Sequence, residues 1–334
     1  MTRTAVITAT GSAVPAHVET NDMLAQRLDT SDEWIRQRTG IGQRYVATTE
    51  TTADLAVAAG KQALDALGDG PEIDQLILAT TTPDRACPAV APEVAHRLGL
   101  GSIPAYDVAA VCSGFLFALR IARDAILAGT SQRILVIASE TFTRLLDPND
   151  RATVAIFGDG AGAVIVESGD LASPGAVHDI RLRSDGGLAD LITANGNPTR
   201  LNPLDVTHDP YFHMQGQAVF LHAVLNMEEI TRQSLDAVGW DAESIAHFVG
   251  HQANARILHA VADRLEVDAA KVNLHLEHVG NTAGASIPLA LDDALRSGRI
   301  QPGERIAMAS FGGGATWGAA AITAPSMTSP TNPS

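Results

Sequence analysis

Cysteine is nearly missing: a chain of 334 residues carries only Cys87 and Cys112. Two cysteines make no disulfide framework, so a packed core must hold the fold, and a reducing cytoplasm fits. Aromatic residues are scarce as well, at 4%. Glycine and alanine are plentiful instead, which points to elements in close approach around a core of small aliphatic side chains. Basic residues are outnumbered, with 23 Lys and Arg against 38 Asp and Glu, a formal net charge of -15. That balance argues against nucleic-acid binding and against an anionic membrane surface, although a local basic patch can still hold an acidic substrate. No apolar run reaches membrane-spanning length, and the first residues turn polar too soon for a signal peptide.

The hydrophobic share of 46% supports a well-packed globular protein, and the length is generous for one core. Strand-like stretches at 4–10, 73–80, 133–139, 245–249, 272–276 and 305–310 are interleaved with helical ones at 52–67, 90–98, 218–238 and 257–265. The class is therefore α/β. Residues 186–211 are rich in turn formers and read as a long surface excursion. The Gly-Asp-Gly-Ala-Gly segment at 158–162 lacks dinucleotide-loop spacing and leads into β-branched residues, so it reads as a tight approach into a strand.

An internal repeat organises this order. Residues 112–129 and 281–298 have equal length, open on small residues, close on Ala-Gly or Ser-Gly, and each precedes an apolar strand. Two similar halves are expected, at 1–172 and 173–324, with 325–334 a Pro-, Ser- and Thr-rich disordered tail. The two small-residue helices should pack together in the centre, with Cys112 and Asn281 at equivalent helix starts facing one cleft. His251 ends a strand of the second half and can reach the same cleft.

Cys112 stands where a buried strand meets the helix 115–129. Unpaired N–H groups and the positive end of the helix dipole favour thiolate, the nucleophilic form. A thiol, an imidazole and an amide on such junctions suit acyl transfer, with the Cys112 N–H and the glycine turn at 312–314 as oxyanion donors.

Six motifs together are specific. They are Asp29-Thr-Ser-Asp-Glu-Trp-Ile with the later Arg-Thr-Gly-Ile, Asp107-Val-Ala-Ala-Val-Cys-Ser-Gly-Phe, Ile156-Phe-Gly-Asp-Gly-Ala-Gly-Ala, His251-Gln-Ala-Asn-Ala-Arg, Gly280-Asn-Thr-Ala-Gly-Ala-Ser-Ile-Pro and Phe311-Gly-Gly-Gly-Ala-Thr-Trp-Gly. From residue 4 to about 323 the chain resembles β-ketoacyl-acyl-carrier-protein synthase III, the initiating condensing enzyme of the thiolase superfamily. The resemblance implies a five-layered αβαβα fold of two duplicated halves, a homodimer, an acyl-CoA substrate, a malonyl-acyl-carrier-protein or malonyl-CoA partner, and no metal or cofactor. It gives Cys112, His251 and Asn281 as the catalytic residues and the N–H groups of Cys112 and Gly313 as the oxyanion hole. Trp34, Arg38, Arg151, Ile156, Gly216, Phe220 and Asn254 match CoA positions. An indole face suits adenine, and guanidinium groups suit phosphates. Gln252, Ala253, Asn254, Ala255 and Arg256 match the carrier-protein docking segment.

The sequence departs from the family's pattern in several places. Cys87 stands where a phenylalanine of the partner subunit often gates the acyl pocket, which leaves room for longer or branched acyl groups. Leu221 replaces a common lysine, and Asp263-Arg264 replaces a lysine pair, so the basic docking patch is thin and rests on Arg256. Residues 201–212 look long enough to cover the tunnel mouth. These departures also fit a specialised condensing enzyme that uses a CoA-linked or β-keto acid acceptor. A degradative thiolase would need a second cysteine near the glycine turn at 311–318, and none is there. A non-enzymatic binding subunit would have no need of all three catalytic side chains.

Overall fold

A computed structural model describes residues 3–68, 72–194 and 209–326. The first half opens with β1 (Arg3–Ala13) and β2 (His17–Thr20), then α1 (Asn21–Ala25), α2 (Asp32–Thr39) and β3 (Gln43–Val46). It continues through α3 (Thr52–Leu67), β4 (Gln75–Ala79), α4 (Ala91–Arg97), β5 (Ala105–Val108) and α5 (Gly114–Ala128). β6 (Arg133–Glu140), α6 (Arg151–Val154) and β7 (Gly160–Asp170) follow. The second half holds β8 (Val177–Ser184), β9 (Ile192–Ala194), β10 (Phe212–Met214), α7 (Gly216–Val238) and β11 (His247–Gly250). After these come α8 (Ala255–Leu265), α9 (Leu276–Val279), α10 (Ser286–Arg296), β12 (Arg305–Gly312) and β13 (Thr316–Thr323).

Local chemistry sets several of these ends. Thr51 and Asp54 form a reciprocal capping box at the start of α3, satisfying two N–H groups that the helix leaves open. Gly129 ends α5 at φ 76, a left-handed position suited to glycine. The apolar face of α5, with Phe115, Leu119, Ala122 and Ile126, is wholly buried.

Two sheets result. The first has the order β1-β7-β6-β4-β5 and the second β11-β12-β13-β8. Their pairings match: parallel β4–β6 and β11–β12 are each followed by antiparallel β6–β7, β7–β1 and β12–β13, β13–β8. α3 and α4 cover the outer face of the first sheet, α5 and α10 lie between the sheets, and α7 with α8 covers the outside of the second. That is the five-layered arrangement. Small residues permit the close approach: a Cβ on Gly162 of β7 would sit 2.7 Å from Pro288 Cβ and 2.8 Å from Leu289 N of α10.

Three expectations need correction, and one strand is added. Residues 272–276 form no strand; only Val272 bridges Phe248. The Gln252 side chain takes the groups a ladder would use, donating to the Gly250 and Asn273 carbonyls and accepting the His275 and Leu276 N–H groups. The repeat is also shifted. Val111 and Ala283 share the unusual φ values 47 and 46, each opening a short 3-10 turn before α5 or α10. Cys112 therefore corresponds to Gly284, while Asn281 lies earlier in its loop. A Cβ on Gly284 would meet the Val111 carbonyl at 2.9 Å, so the second half has no room for a side chain there. The added strand is β8, where Ile180 and Leu182 alternate with Arg181 and Arg183. Within the described part of the excursion at 186–211, β9 pairs with β10 and its Ile192 lines the inner cavity, so this part is not wholly on the surface. Most of the proposed tunnel cover at 201–212, and nearly all of the tail at 325–334, lie outside the described residues.

Candidate active site

The chain leaves β5, bends at Val111, and enters α5 through a 3-10 turn that carries Cys112. A non-glycine φ of 47 is costly and persists where its surroundings impose it. Here Ser113 N–H bonds the Ala110 carbonyl at 3.0 Å, and Ser113 Oγ–H bonds the Thr316 carbonyl at 3.0 Å. Cys112 is buried, and Gly312 packs against it: a Cβ there would lie 2.8 Å from the Cys112 nitrogen. Gly313 lies beside Ile192 and shares a second, more open cavity with Ala110 and Val111.

His251 follows β11, its N–H bonded to the Ala309 carbonyl at 2.7 Å. Its Nδ1 is 2.6 Å from Ser286 Oγ, which also accepts the Gln252 N–H at 3.2 Å. Burial alone pushes the imidazole down to about 3, so the ring is neutral at physiological pH. Asn281 is held by its backbone, with N–H bonded to the Ile156 carbonyl at 2.9 Å and the carbonyl accepting Gly158 N–H at 3.0 Å. Its side-chain Oδ1 accepts Ala283 N–H at 2.9 Å, which leaves the amide NH2 as the group to offer.

Cys112, His251 and Asn281 come from three distant stretches and line one apolar cavity. Phe142, Phe157 and Phe212 form part of its wall, with ring centroids 4.6, 5.0 and 5.2 Å apart. A second cavity adjoins it and shares Phe157, Phe212, Ile257 and Asn281. Ile156, Gly216, Phe220 and Asn254 line that outer cavity, whose rim includes the exposed Gly216. Trp34, Arg38 and Arg151 form a cluster of their own: the two guanidinium carbons lie 4.3 and 5.0 Å from the indole centroid. Asn254 ties this cluster to the cavity through a 3.0 Å bond to the Arg38 carbonyl.

Burial works against the expected thiolate. Desolvation pushes the Cys112 thiol well above its usual range, the Glu140 carboxylate adds to this, and the favourable contribution of its own N–H is smaller. Glu140 is itself buried and raised to about 7, while accepting bonds from the Thr81 N–H and the Thr82 hydroxyl. Gln252 cannot dock a carrier protein, because it is fully buried with its amide spent on backbone groups. Ala253 lines both inner cavities and Ala255 packs against Gly40, so Arg256 is the exposed member of that segment. Cys87 is exposed and lines none of these cavities within its own chain. Sequence reasoning missed the phenylalanine wall at 142 and 212, and Ser286 behind His251. Phe142 opens a 3-10 turn and Phe212 a three-residue strand, both too short to show periodicity, and Ser286 was hidden inside a recognised motif.

Family models for 3-oxoacyl-[acyl-carrier-protein] synthase III match residues 106–186, and those for its C-terminal part match 235–324. Beta-ketoacyl-[acyl-carrier-protein] synthase III 5 of Streptomyces coelicolor is 50% identical over 331 residues, covering 98% of this chain and 99% of that protein. The crystal structure of 3-oxoacyl-(acyl carrier protein) synthase III from Pseudomonas aeruginosa PAO1 superposes with a TM-score of 0.92 at 44% identity, covering 98% of this chain and all of that one. The priming β-ketosynthase of the R1128 polyketide pathway superposes at 0.91 with 33% identity, covering 97% of each chain. The fold and site thus define a condensing acyltransferase of thiolase-like architecture. The chain belongs to the β-ketoacyl-acyl-carrier-protein synthase III family.

Proposed function

We propose that this protein joins an acyl-CoA primer to a malonyl thioester by decarboxylative Claisen condensation, starting a fatty acid or polyketide chain. The carrying observation is the convergence of Cys112, His251 and Asn281 on one apolar cavity. In the first step Cys112 Sγ attacks the acyl-CoA carbonyl. The CoA thiol leaves with the proton that Cys112 gives up, so a thiol with a raised pKa needs no net proton release. In the second step the malonyl thioester loses CO2. His251 and Asn281 hold the carbonyl oxygen on which the enolate charge develops. The carbanion attacks the acyl-Cys112 carbonyl, and the N–H groups of Cys112 and Gly313 bind the oxyanion. Collapse expels the Cys112 thiolate, which regains a proton, and a β-ketoacyl thioester departs. Trp34 and Arg151 open around the adenine, and Arg38 is placed near the phosphates.

In this proposal the halves divide at 172/173 and the protein works in the cytoplasm as a homodimer, with Cys87 reaching the partner's acyl pocket. Intact mass after exposure to a panel of acyl-CoAs, followed by a malonyl chase, tests the reaction. Acylation lost in Cys112→Ala, and carbon gain on the chase in the wild type, are expected. Normal product from Cys112→Ala would remove the proposal.

One observation favours a second acceptor. Leu221 is 56% exposed where the family often has lysine, and Arg264 is engaged with Glu228, which leaves Arg256 nearly alone to meet an acidic carrier protein. A CoA-linked or β-keto acid acceptor, as in specialised metabolism, fits that surface. Discharge of acyl-Cys112 by malonyl-CoA or a free β-keto acid, with the carrier protein ignored, decides for it.

A further inference from the structure

The hydrogen atoms around His251 can be assigned from its buried neighbours. Ser286, the first residue of α10, is 1% exposed and His251 is 3% exposed, so both side chains are withdrawn from bulk water. A serine oxygen offers one hydrogen and accepts two. Gln252 N–H already fills one acceptor position at 3.2 Å. Two arrangements remain for the 2.6 Å contact between Ser286 Oγ and His251 Nδ1. If Nδ1–H donated, the serine oxygen would accept twice and its own hydrogen would find no acceptor among the described residues. If the hydroxyl donates, the serine hydrogen and Nδ1 satisfy each other, and the single proton of the neutral ring sits on Nε2, on a ring that lines the cavity.

We infer that Ser286 is a positioning residue whose hydroxyl donates to His251 Nδ1 and so fixes the ring in the Nε2–H tautomer. The inference rests on the condensation proposed above and deepens it by assigning the atom that meets the extender. A ring in this state is a hydrogen-bond donor to the thioester carbonyl. The opposite tautomer would turn a lone pair on that oxygen and oppose the enolate. Asn281 is set in the same way from the same segment, since Ala283 N–H holds its Oδ1 and leaves the NH2 group free to donate. The loop into α10 thereby orients two neutral donors, and neither acts as a base. Neither donor depends on a charge that would have to be buried beside Cys112. Ser286 touches no reacting atom; it acts through His251.

The test uses the full-length protein with 15N-labelled histidine, the His251 signals being assigned by their loss in His251→Ala. At neutral pH the wild type should show a protonated Nε2 and an unprotonated Nδ1. Ser286→Ala should move the ring toward a mixture of tautomers and lower kcat for condensation by part of the roughly 100- to 1,000-fold that complete loss of one oxyanion donor costs. Ser286→Thr, which keeps the hydroxyl, should restore much of both. Acylation of Cys112 by acyl-CoA, read by intact mass, serves as the control that each variant is folded. A wild-type ring protonated at Nδ1 overturns the inference. So does a Ser286→Ala protein that acylates and condenses at the wild-type rate with its tautomer unchanged. A ring protonated at Nε2 and released by Ser286→Ala, in a protein that does not condense, upholds the hold of Ser286 on the ring and removes the proposed reaction instead.

Discussion

At the residue scale, the site combines groups whose environments pull their protonation in opposite directions. Glu140 is raised from 4.5 to about 7 by burial, so the unfolded chain loses that proton first. Its contribution to stability is full below about 4.5 and declines as pH rises through 7. His251 is lowered from 6.5 to about 3, so the unfolded chain gains a proton first. Its contribution is full above about 6.5 and declines as pH falls toward 3. Glu140→Gln keeps an acceptor for Thr81 and Thr82 but cannot ionise. The denaturation midpoint of the wild type, measured against pH, should fall between 4.5 and 7 relative to this variant; parallel curves would show that Glu140 does not titrate there. Trp34 has two guanidinium groups over its ring, and a base–aromatic stack is worth about 1–3 kcal/mol. Trp34→Ala should raise the KM for acyl-CoA about tenfold and leave acylation by a short acyl-pantetheine, which has no adenine, unchanged. Equal effects on both substrates would place the adenine elsewhere. Cys112 carries a lesson about helix starts: its position at a helix N-terminus was legible, but its burial and the nearness of Glu140, both of which raise its pKa, were not.

The scale of elements explains the abundance of small residues. Gly162 in β7 faces α10 without room for a methyl group. Gly162→Ala must push the central layer from the first sheet, and overpacking of this kind costs about 1–3 kcal/mol in chemical denaturation. Thr51→Ala removes half of a capping box on α3, for a loss of about 1 kcal/mol by the same measurement. Long periodic elements such as α3, α5 and α7 could be placed from the sequence because one face of each is apolar throughout. Residues 272–276 looked like a strand for their alternation, yet the buried Gln252 amide claims the backbone groups that a ladder needs. That competitor comes from a residue distant in sequence and has no local signature.

For the whole molecule, the arrangement of Cys87 turns on assembly. Within one chain it is exposed and lines no cavity at Cys112. In the proposed homodimer it enters the partner's acyl pocket, so Cys87→Phe should shift primer preference toward shorter acyl-CoAs in an acylation panel. An unchanged preference would show that no second copy brings residue 87 to the site. The sequence by itself determined the α/β class and the two-halved plan, and its motifs, through the family they resemble, determined the class of reaction and nominated Cys112, His251 and Asn281 for it, because periodicity and short motifs are legible in single stretches. Tertiary structure alone decided that Cys112 corresponds to Gly284 and not to Asn281, that Gln252 is sealed inside, that three phenyl rings wall the cavity, and that Ser286 stands behind His251. Each depends on the distance between residues far apart in sequence, and that distance exists only once the two sheets have closed on α5 and α10.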